Sequence, residues 1–146
     1  INMRLEHVYS ADDERKFVNY IIKNLIKDVP EIELTSGTQR RDWIYIDDVV
    51  SAYIHVLRNI NKFSASTYHL VEIGTGVEVS VREFVEMSKN IIGASTSLKF
   101  GNISIKSGEL QSSHADTSIL KELGWSYKYS VEEGIKEVII RSEVKK

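Results

Sequence analysis

The stretch Gly37-Thr38-Gln39-Arg40-Arg41-Asp42-Trp43-Ile44-Tyr45-Ile46-Asp47-Asp48-Val49-Val50 runs from turn to strand to helix within fourteen residues, and the rest of the chain has to fit around it. A turn with a basic pair leads into an aromatic and β-branched run over Arg41 to Ile46. Asp47 and Asp48 then stand where they can cap a helix from about Asp48 to Asn59, whose Val49, Ala52, Tyr53, Val56 and Leu57 recur at helical spacing. Arg41 sits where the chain changes direction. Its guanidinium cannot lose its proton and offers a planar fork of donors that suits a pair of phosphate or carboxylate oxygens. That makes Arg41 the best anion ligand in the sequence; the alternative is a surface pair with Asp42 or with a helix end.

Similar alternation runs through the whole chain. Ile1 to Tyr9 reads as one strand, and Ser10-Ala11-Asp12-Asp13-Glu14 as a turn offering helix caps. Phe17, Val18, Ile21, Ile22, Leu25 and Ile26 define the apolar face of a helix ending near Pro30, with Lys16 in its first turn. Ile32 to Leu34 is a short strand, and Tyr68 to Ile73 another, ending in Gly74-Thr75-Gly76. Those glycines lack the third glycine of a dinucleotide loop and are followed by an extended Val77 to Val79, so they predict a tight turn.

Ser80-Val81-Arg82-Glu83 fits a capping box, opening a helix that carries Val81, Phe84, Val85 and Ile91 and stops at Gly93. Leu98 to Phe100 is a strand, and Gly101 to Ser113 a polar connection of a length that is uncommon without a job. A short helix over Asp116 to Leu123 precedes Trp125, which should pack back onto the core. Ser130-Val131-Glu132-Glu133 is a second capping box, for a helix with Val131, Ile135, Val138 and Ile139 inward; Arg141 to Lys146 is expected to fray. The succession predicts one α/β or α+β domain with a small sheet.

Composition narrows the partner. With 146 residues, a net charge of −2 and basic residues dispersed among acidic ones, the chain has no electrostatic footprint for nucleic acid or for an anionic membrane. No apolar run approaches a membrane span. The expected partner is therefore a small molecule or a protein. With no cysteine there are no disulfides and no thiolate metal site, which is compatible with a reducing cytoplasm. His7, His55, His69 and His114 form no clustered spacing, so no metal site is expected, and no nucleophile elbow or P-loop is present. The chain opens in mid-strand, and a lone terminal strand needs neighbours for its backbone groups, so residues before Ile1 are expected.

Arg41-Asp42-Trp43-Ile44-Tyr45-Ile46-Asp47-Asp48-Val49-Val50 resembles the "RDxxxVxDvv" signature of the nucleotide-sugar epimerases, dehydratases and reductases, the extended short-chain dehydrogenases. The resemblance extends along nearly the whole chain. Arg4-Leu5-Glu6-His7-Val8-Tyr9 is similar to the family's strand ending in "VYGP", with Ser10 and Ala11 in place of the glycine and proline. Lys16-Phe17-Val18 matches a loop and helix start, Lys106-Ser107-Gly108-Glu109 resembles "RxGE/D", and Asp116 through Gly124-Trp125 to Gly134 resembles "aDxsxxxxxLGwxpxxsleeGl".

The resemblance implies a fold and a division of labour. Residues 1–9 would be the terminal strand of a truncated Rossmann domain, and residues 10–146 the small α/β region that binds a nucleotide sugar. Arg41, Lys106 and Lys16 would neutralise the diphosphate, Lys106 as a point charge where the family has a second arginine. Glu109 would lie near the nucleotide ribose, the backbone at Glu33-Leu34 against the base, and His7 and Phe17 beside the substrate. Glu6 would touch the cofactor, NAD or NADP, whose main binding residues precede Ile1. The family's Tyr-xxx-Lys pair and glycine-rich loop are absent, Tyr20 and Lys23 being one residue too close, so hydride transfer at sugar C4 falls to upstream residues. Within the family the chain most resembles the branch around CDP-abequose synthase, which reduces a 4-keto deoxysugar on CDP, and this favours CDP over UDP or dTDP. A homodimer is compatible with the resemblance, its usual helices lying upstream. Two other readings are a non-catalytic nucleotide sensor on the same fold and a self-contained interaction domain with Arg41 on its surface.

Overall fold

The computed structural model of the chain describes residues 1–12 and 16–144. The opening strand is two strands. β1 (Asn2–Leu5) pairs in parallel with β5 (Leu70–Ile73), while β2 (His7–Tyr9) pairs in parallel with β4 (Arg40–Tyr45). Glu6 is the switch between them: its amide donates to the Ile73 carbonyl at 3.0 Å, and its own carbonyl accepts from the Val8 amide at 2.9 Å. Turning away from β5 at this point lets β2 lie against the aromatic half of β4, with His7 opposite Trp43 and Tyr9 opposite Tyr45.

β4 is the organising element. Its last three residues pair with β2, and its first three pair antiparallel with β6 (Glu78–Ser80). The amides of Arg40 and Asp42 donate to the carbonyls of Gln111 and Ser113 at 2.8 and 3.0 Å, so the polar 101–113 connection is tied to β4 at its far end. β3 (Glu31–Leu34) and β7 (Ser97–Phe100) form a separate parallel pair.

Among the described residues, five α-helices cover these strands: α1 (Phe17–Ile26), α2 (Ile46–Arg58), α3 (Val81–Ile92), α4 (Ser118–Glu122) and α5 (Val131–Val144). Tyr9, Val18, Ile22, Trp43, Tyr45, Phe84, Ile135 and Val138 make one core, where α1, α3 and α5 meet β2 and β4. Ile44, Val49, Ala52, Val56, Val71, Ile73, Leu120 and Trp125 make a second under α2 and α4, as expected for Trp125, whose indole N–H also donates to Ser51 Oγ at 2.9 Å.

Both capping boxes form as read from the sequence. Ser80 and Glu83 exchange hydrogen bonds of 2.8 and 3.1 Å, Ser130 and Glu133 of 2.8 and 3.2 Å, and Gly93 closes α3 at φ +73°.

Other boundaries differ from the reading. α2 starts at Ile46 with Tyr45 at its N-cap, and neither aspartate caps it. Asp48 is instead buried and accepts from the amides of Lys128 and Tyr129 at 2.8 and 3.0 Å, while Asp47 pairs with Arg141 at 2.6 Å. Acids in the first turn of a helix can reach other chain segments, and here the donors of Lys128, Tyr129 and Arg141 take both carboxylates. That pair also corrects the expected fraying at Arg141, because α5 continues through Val144; Lys145 and Lys146 lie outside the described residues. α1 begins one residue after Lys16, which occupies the N-cap without a side-chain cap bond, so the cap is not Ser10 or Asp12; Asp13 and Glu14 lie outside the described residues.

Candidate functional site

Extended chain places residues i, i+2 and i+4 on one face. Gln39, Arg41 and Trp43 are such a set, and all three line a cleft of about 400 Å³ at the mouth of β2 and β4. His7 and Val8 of β2, Lys16 and Phe17 at the start of α1, Thr35 beyond β3 and Glu109 of the polar connection line it too, with Val18 and Val81 beneath. The family pattern had singled out Arg41, His7, Lys16, Phe17 and Glu109 from four separate stretches, and the fold brings them to one cavity. Gln39, Trp43 and Thr35 were missed. The two-residue spacing from Arg41 was the signal that could have found the first two.

The cleft has an aromatic wall and a cationic one. Phe17, expected on the buried face of α1, is partly exposed and stacks on Trp43 with ring centroids 6.5 Å apart. His7 meets the same indole edge-on at 5.7 Å. Trp43 is fixed from behind by Phe84 at 4.4 Å and by its N–H, which donates to the Val79 carbonyl at 3.0 Å. Loss of water around the His7 ring, followed by the charges of Arg41 and Lys16, lowers its pKa from the ordinary 6.5; Glu6 and Asp42 oppose this.

Arg41 is 7% exposed, yet among the described residues its guanidinium has one protein anion, Glu109, whose Oε1 lies 3.3 Å from Nη2. Nη1 donates to the Arg40 carbonyl at 2.8 Å. Asp42 is not its partner. The Asp42 carboxylate is completely buried and accepts the amides of Thr75 and Gly76 at 2.8 Å each, the Thr75 hydroxyl at 2.6 Å and the Ala115 amide at 3.1 Å. Arginine and aspartate, adjacent in sequence, therefore face opposite sides of β4: one into the cleft, the other into a nest of backbone donors. The Gly74-Thr75-Gly76 turn is that nest. A Cβ at Gly74 would stand 2.3 Å from Asp42 Oδ2, and Gly76 adopts φ +76°, so both glycines are required by the carboxylate they wrap.

Other clefts adjoin the first, and two of them hold residues that the family pattern named. A wider one of about 720 Å³ shares His7, Val8 and Lys16 with it and adds Glu6, Ser113 and His114; Glu6 accepts a hydrogen bond from the Ser113 hydroxyl. The other, of about 500 Å³, shares Thr35 and Glu109 and contains Lys106 and Ser107. Lys106 is thus next to the Arg41 cleft rather than in it. The Leu34 side chain lies in the core with Ile21, Leu25, Ile32 and Val85, and its carbonyl accepts from the Gly101 and Ile103 amides at 3.0 and 3.1 Å. Thr35 is the residue of that segment that reaches the cleft. Among the described residues no group of His, Asp or Glu is placed to hold a metal ion, and no helix is long and apolar enough to cross a membrane.

A mixed α/β arrangement with a cationic, aromatic-lined cleft where β2 and β4 begin defines the class of the fold and its candidate site. The chain belongs to the NAD dependent epimerase/dehydratase family, whose family model matches residues 1–74. It is 41% identical over 144 residues to CDP-abequose synthase of Salmonella muenchen, covering 98% of this chain and 48% of that protein. Among solved structures, MoeE5 in complex with UDP-glucuronic acid and NAD superimposes with a TM-score of 0.81 at 26% identity, covering 98% of this chain and 46% of that one. UDP-glucose 4-epimerase of Thermotoga maritima with UDP-glucose gives 0.78 at 25% identity, over 98% and 45%. The chain spans about half the length of the curated relatives it matches. Its fold is the mixed α/β C-terminal half of such enzymes, and NAD(P) is the cofactor of the family.

Proposed function

We propose that this chain is the nucleotide-sugar-binding part of an NAD(P)-dependent epimerase, dehydratase or 4-keto reductase that works in the cytoplasm. Residues 1–9 belong in this reading to the Rossmann domain and residues 10–146 to the substrate region. The observation that carries it is the convergence of Arg41, Lys16 and His7 on one cleft beside the stacked Phe17 and Trp43 rings. A diphosphate has the charge for the cationic wall, and its base and sugar have planar and polar surfaces for the two neighbouring clefts.

Each residue has a defined task. Arg41 gives the planar fork to the phosphate oxygens, Lys16 adds a point charge, and Lys106 supplies another from the adjoining cleft. Glu109 accepts from the nucleotide ribose, Thr35 and the backbone following Leu34 border the base, and His7 and Phe17 hold the ligand against Trp43. Glu6, already accepting from Ser113, offers a carboxylate oxygen in the wider cleft that fits a cofactor hydroxyl or amide donor. When bound, the cofactor would supply the hydride chemistry at sugar C4. Similarity to CDP-abequose synthase at 41% identity favours a CDP-linked deoxysugar as substrate.

The test is direct. In the intact protein, CDP-, UDP- and dTDP-linked sugars are titrated while the Trp43 fluorescence is followed, in wild type and Arg41→Ala. Loss of a charged hydrogen-bond pair should weaken binding by about 10-fold to 100-fold, with CDP sugars bound best. Unchanged affinity in Arg41→Ala would remove the cleft from the account.

A further inference from the structure

Glu109 Oε1 is shared. It accepts from Arg41 Nη2 at 3.3 Å and from Gln39 Nε2 at 3.2 Å, two donors reaching one oxygen from the same face of the β4 segment. Both distances are long for bonds to a carboxylate, and the Arg41 contact is monodentate where the guanidinium could give a fork. Gln39 is 2% exposed, and its Oε1 is buried with no hydrogen-bond partner among the described residues. Its backbone is held too, the Gln39 carbonyl accepting from the Val81 amide at 2.9 Å. A buried amide kept with its oxygen unpaired calls for an explanation, and here the one bond its side chain makes is to Glu109.

Glu109 comes from the connection between β7 and α4, and that connection is fixed on both sides of it. Before it, the Gly101 and Ile103 amides donate to the Leu34 carbonyl at 3.0 and 3.1 Å, and after it the Gln111 and Ser113 carbonyls accept from β4. The carboxylate is therefore delivered to Arg41 by backbone that is already anchored, while its own side chain remains about one third exposed at the cleft mouth.

We propose that Glu109 is an internal anion that occupies Arg41 until a ligand diphosphate displaces it, and that Gln39 is the positioning residue that keeps this occupancy weak. The inference rests on the diphosphate reading of the cleft. Sharing one oxygen between a charged and a neutral donor prevents Glu109 from turning into the bidentate fork with Arg41. A diphosphate then has only a single long contact to break, and Glu109 swings off Arg41 with the Gln39 amide still in reach. The cleft stays electrically compensated when empty, so a buried guanidinium is never left alone.

Inorganic pyrophosphate is the probe, because it meets Arg41 without a ribose that Glu109 could help to bind. Its affinity is measured by calorimetry for the intact wild-type protein, Glu109→Gln, Gln39→Met, the double variant and Arg41→Ala, with thermal melts to verify folding. Glu109→Gln removes the competing charge and should tighten pyrophosphate by about threefold to fivefold, the worth of a part-exposed ion pair. Gln39→Met leaves Glu109 wholly to Arg41 and should weaken pyrophosphate by about threefold, an effect that disappears in the double variant. A merely structural Gln39 would lower affinity equally in both backgrounds. Pyrophosphate affinity that is unchanged or lower in folded Glu109→Gln, while Arg41→Ala abolishes it, overturns the exchange and leaves the site intact; affinity unaffected by Arg41→Ala overturns both.

Discussion

Thr75 donates twice to the same Asp42 oxygen, from its amide at 2.8 Å and from its hydroxyl at 2.6 Å, in a position from which both side chains are excluded from water. Gly76 and Ala115 serve the other oxygen. This arrangement holds the strand that carries Arg41, the turn after β5 and the end of the polar connection to one another. Replacing Asp42 by Ala leaves those donors buried without an acceptor and should destabilise the protein by about 3–5 kcal/mol, as for a broken buried charge network. Thr75→Val removes one hydroxyl bond to a charged acceptor and should cost about 1.5–3 kcal/mol. Urea unfolding of the two variants measures both; a Thr75→Val loss equal to that of Asp42→Ala would contradict the division of the donors.

Tyr9 and Gly134 set the approach of α5 to β2. A Cβ at Gly134 would lie 2.0 Å from the Tyr9 hydroxyl oxygen and 2.8 Å from the ring carbon bearing it. Gly134→Ala should therefore destabilise by about 1–3 kcal/mol although alanine favours helices, because overpacking exceeds the propensity gain. Tyr9→Phe removes the nearest atom, so the double variant should recover part of that loss in a thermal melt. Full stability in Gly134→Ala alone would mean that α5 stands farther from β2.

His7 gives the cleft a pH dependence. Because its folded-state pKa lies below 6.5, the unfolded chain takes up the proton first. The stability it contributes is fully present above about pH 6.5 and is lost as pH falls from there toward the folded value. An NMR titration of the His7 ring protons should give a midpoint below 6.5 in the unliganded protein, moving upward when pyrophosphate binds and offsets Arg41. A midpoint at or above 6.5 without ligand would run against the causes named here.

The capping box at Ser80 ties the site to α3. Ser80 sits opposite Arg40 in the β4 and β6 register, and its hydroxyl accepts from the Glu83 amide at 3.1 Å. Ser80→Ala should cost about 0.5–2 kcal/mol. Since α3 carries Phe84 against Trp43, the same variant should broaden the Trp43 emission; an unaltered melt and emission would show that the cap is redundant.

Local signals carried much of the fold. Helical spacing located the apolar faces of α1, α3 and α5 and the Val49, Ala52 and Val56 stripe of α2, although Tyr53 and Leu57, read with that stripe, are exposed; the Ser80 and Ser130 boxes placed two helix starts, because caps and amphipathic faces depend on residues within one or two turns. Two features were not legible this way. The break at Glu6 depends on Ile73, sixty-seven residues away in sequence by pairing of β1 with β5. The work of Asp47 and Asp48 depends on Arg141, Lys128 and Tyr129, which only packing brings to the start of α2.

For the site, the sequence by itself determined which side chains have the right chemistry: an arginine with a fork, lysines with point charges and glutamates that accept. Tertiary structure decided their grouping. It put Gln39 and Arg41 on one Glu109 oxygen and Lys106 in the neighbouring cleft, because strand pleat and the anchoring of 109–113 on β4 fix direction and reach over distances that no local preference encodes.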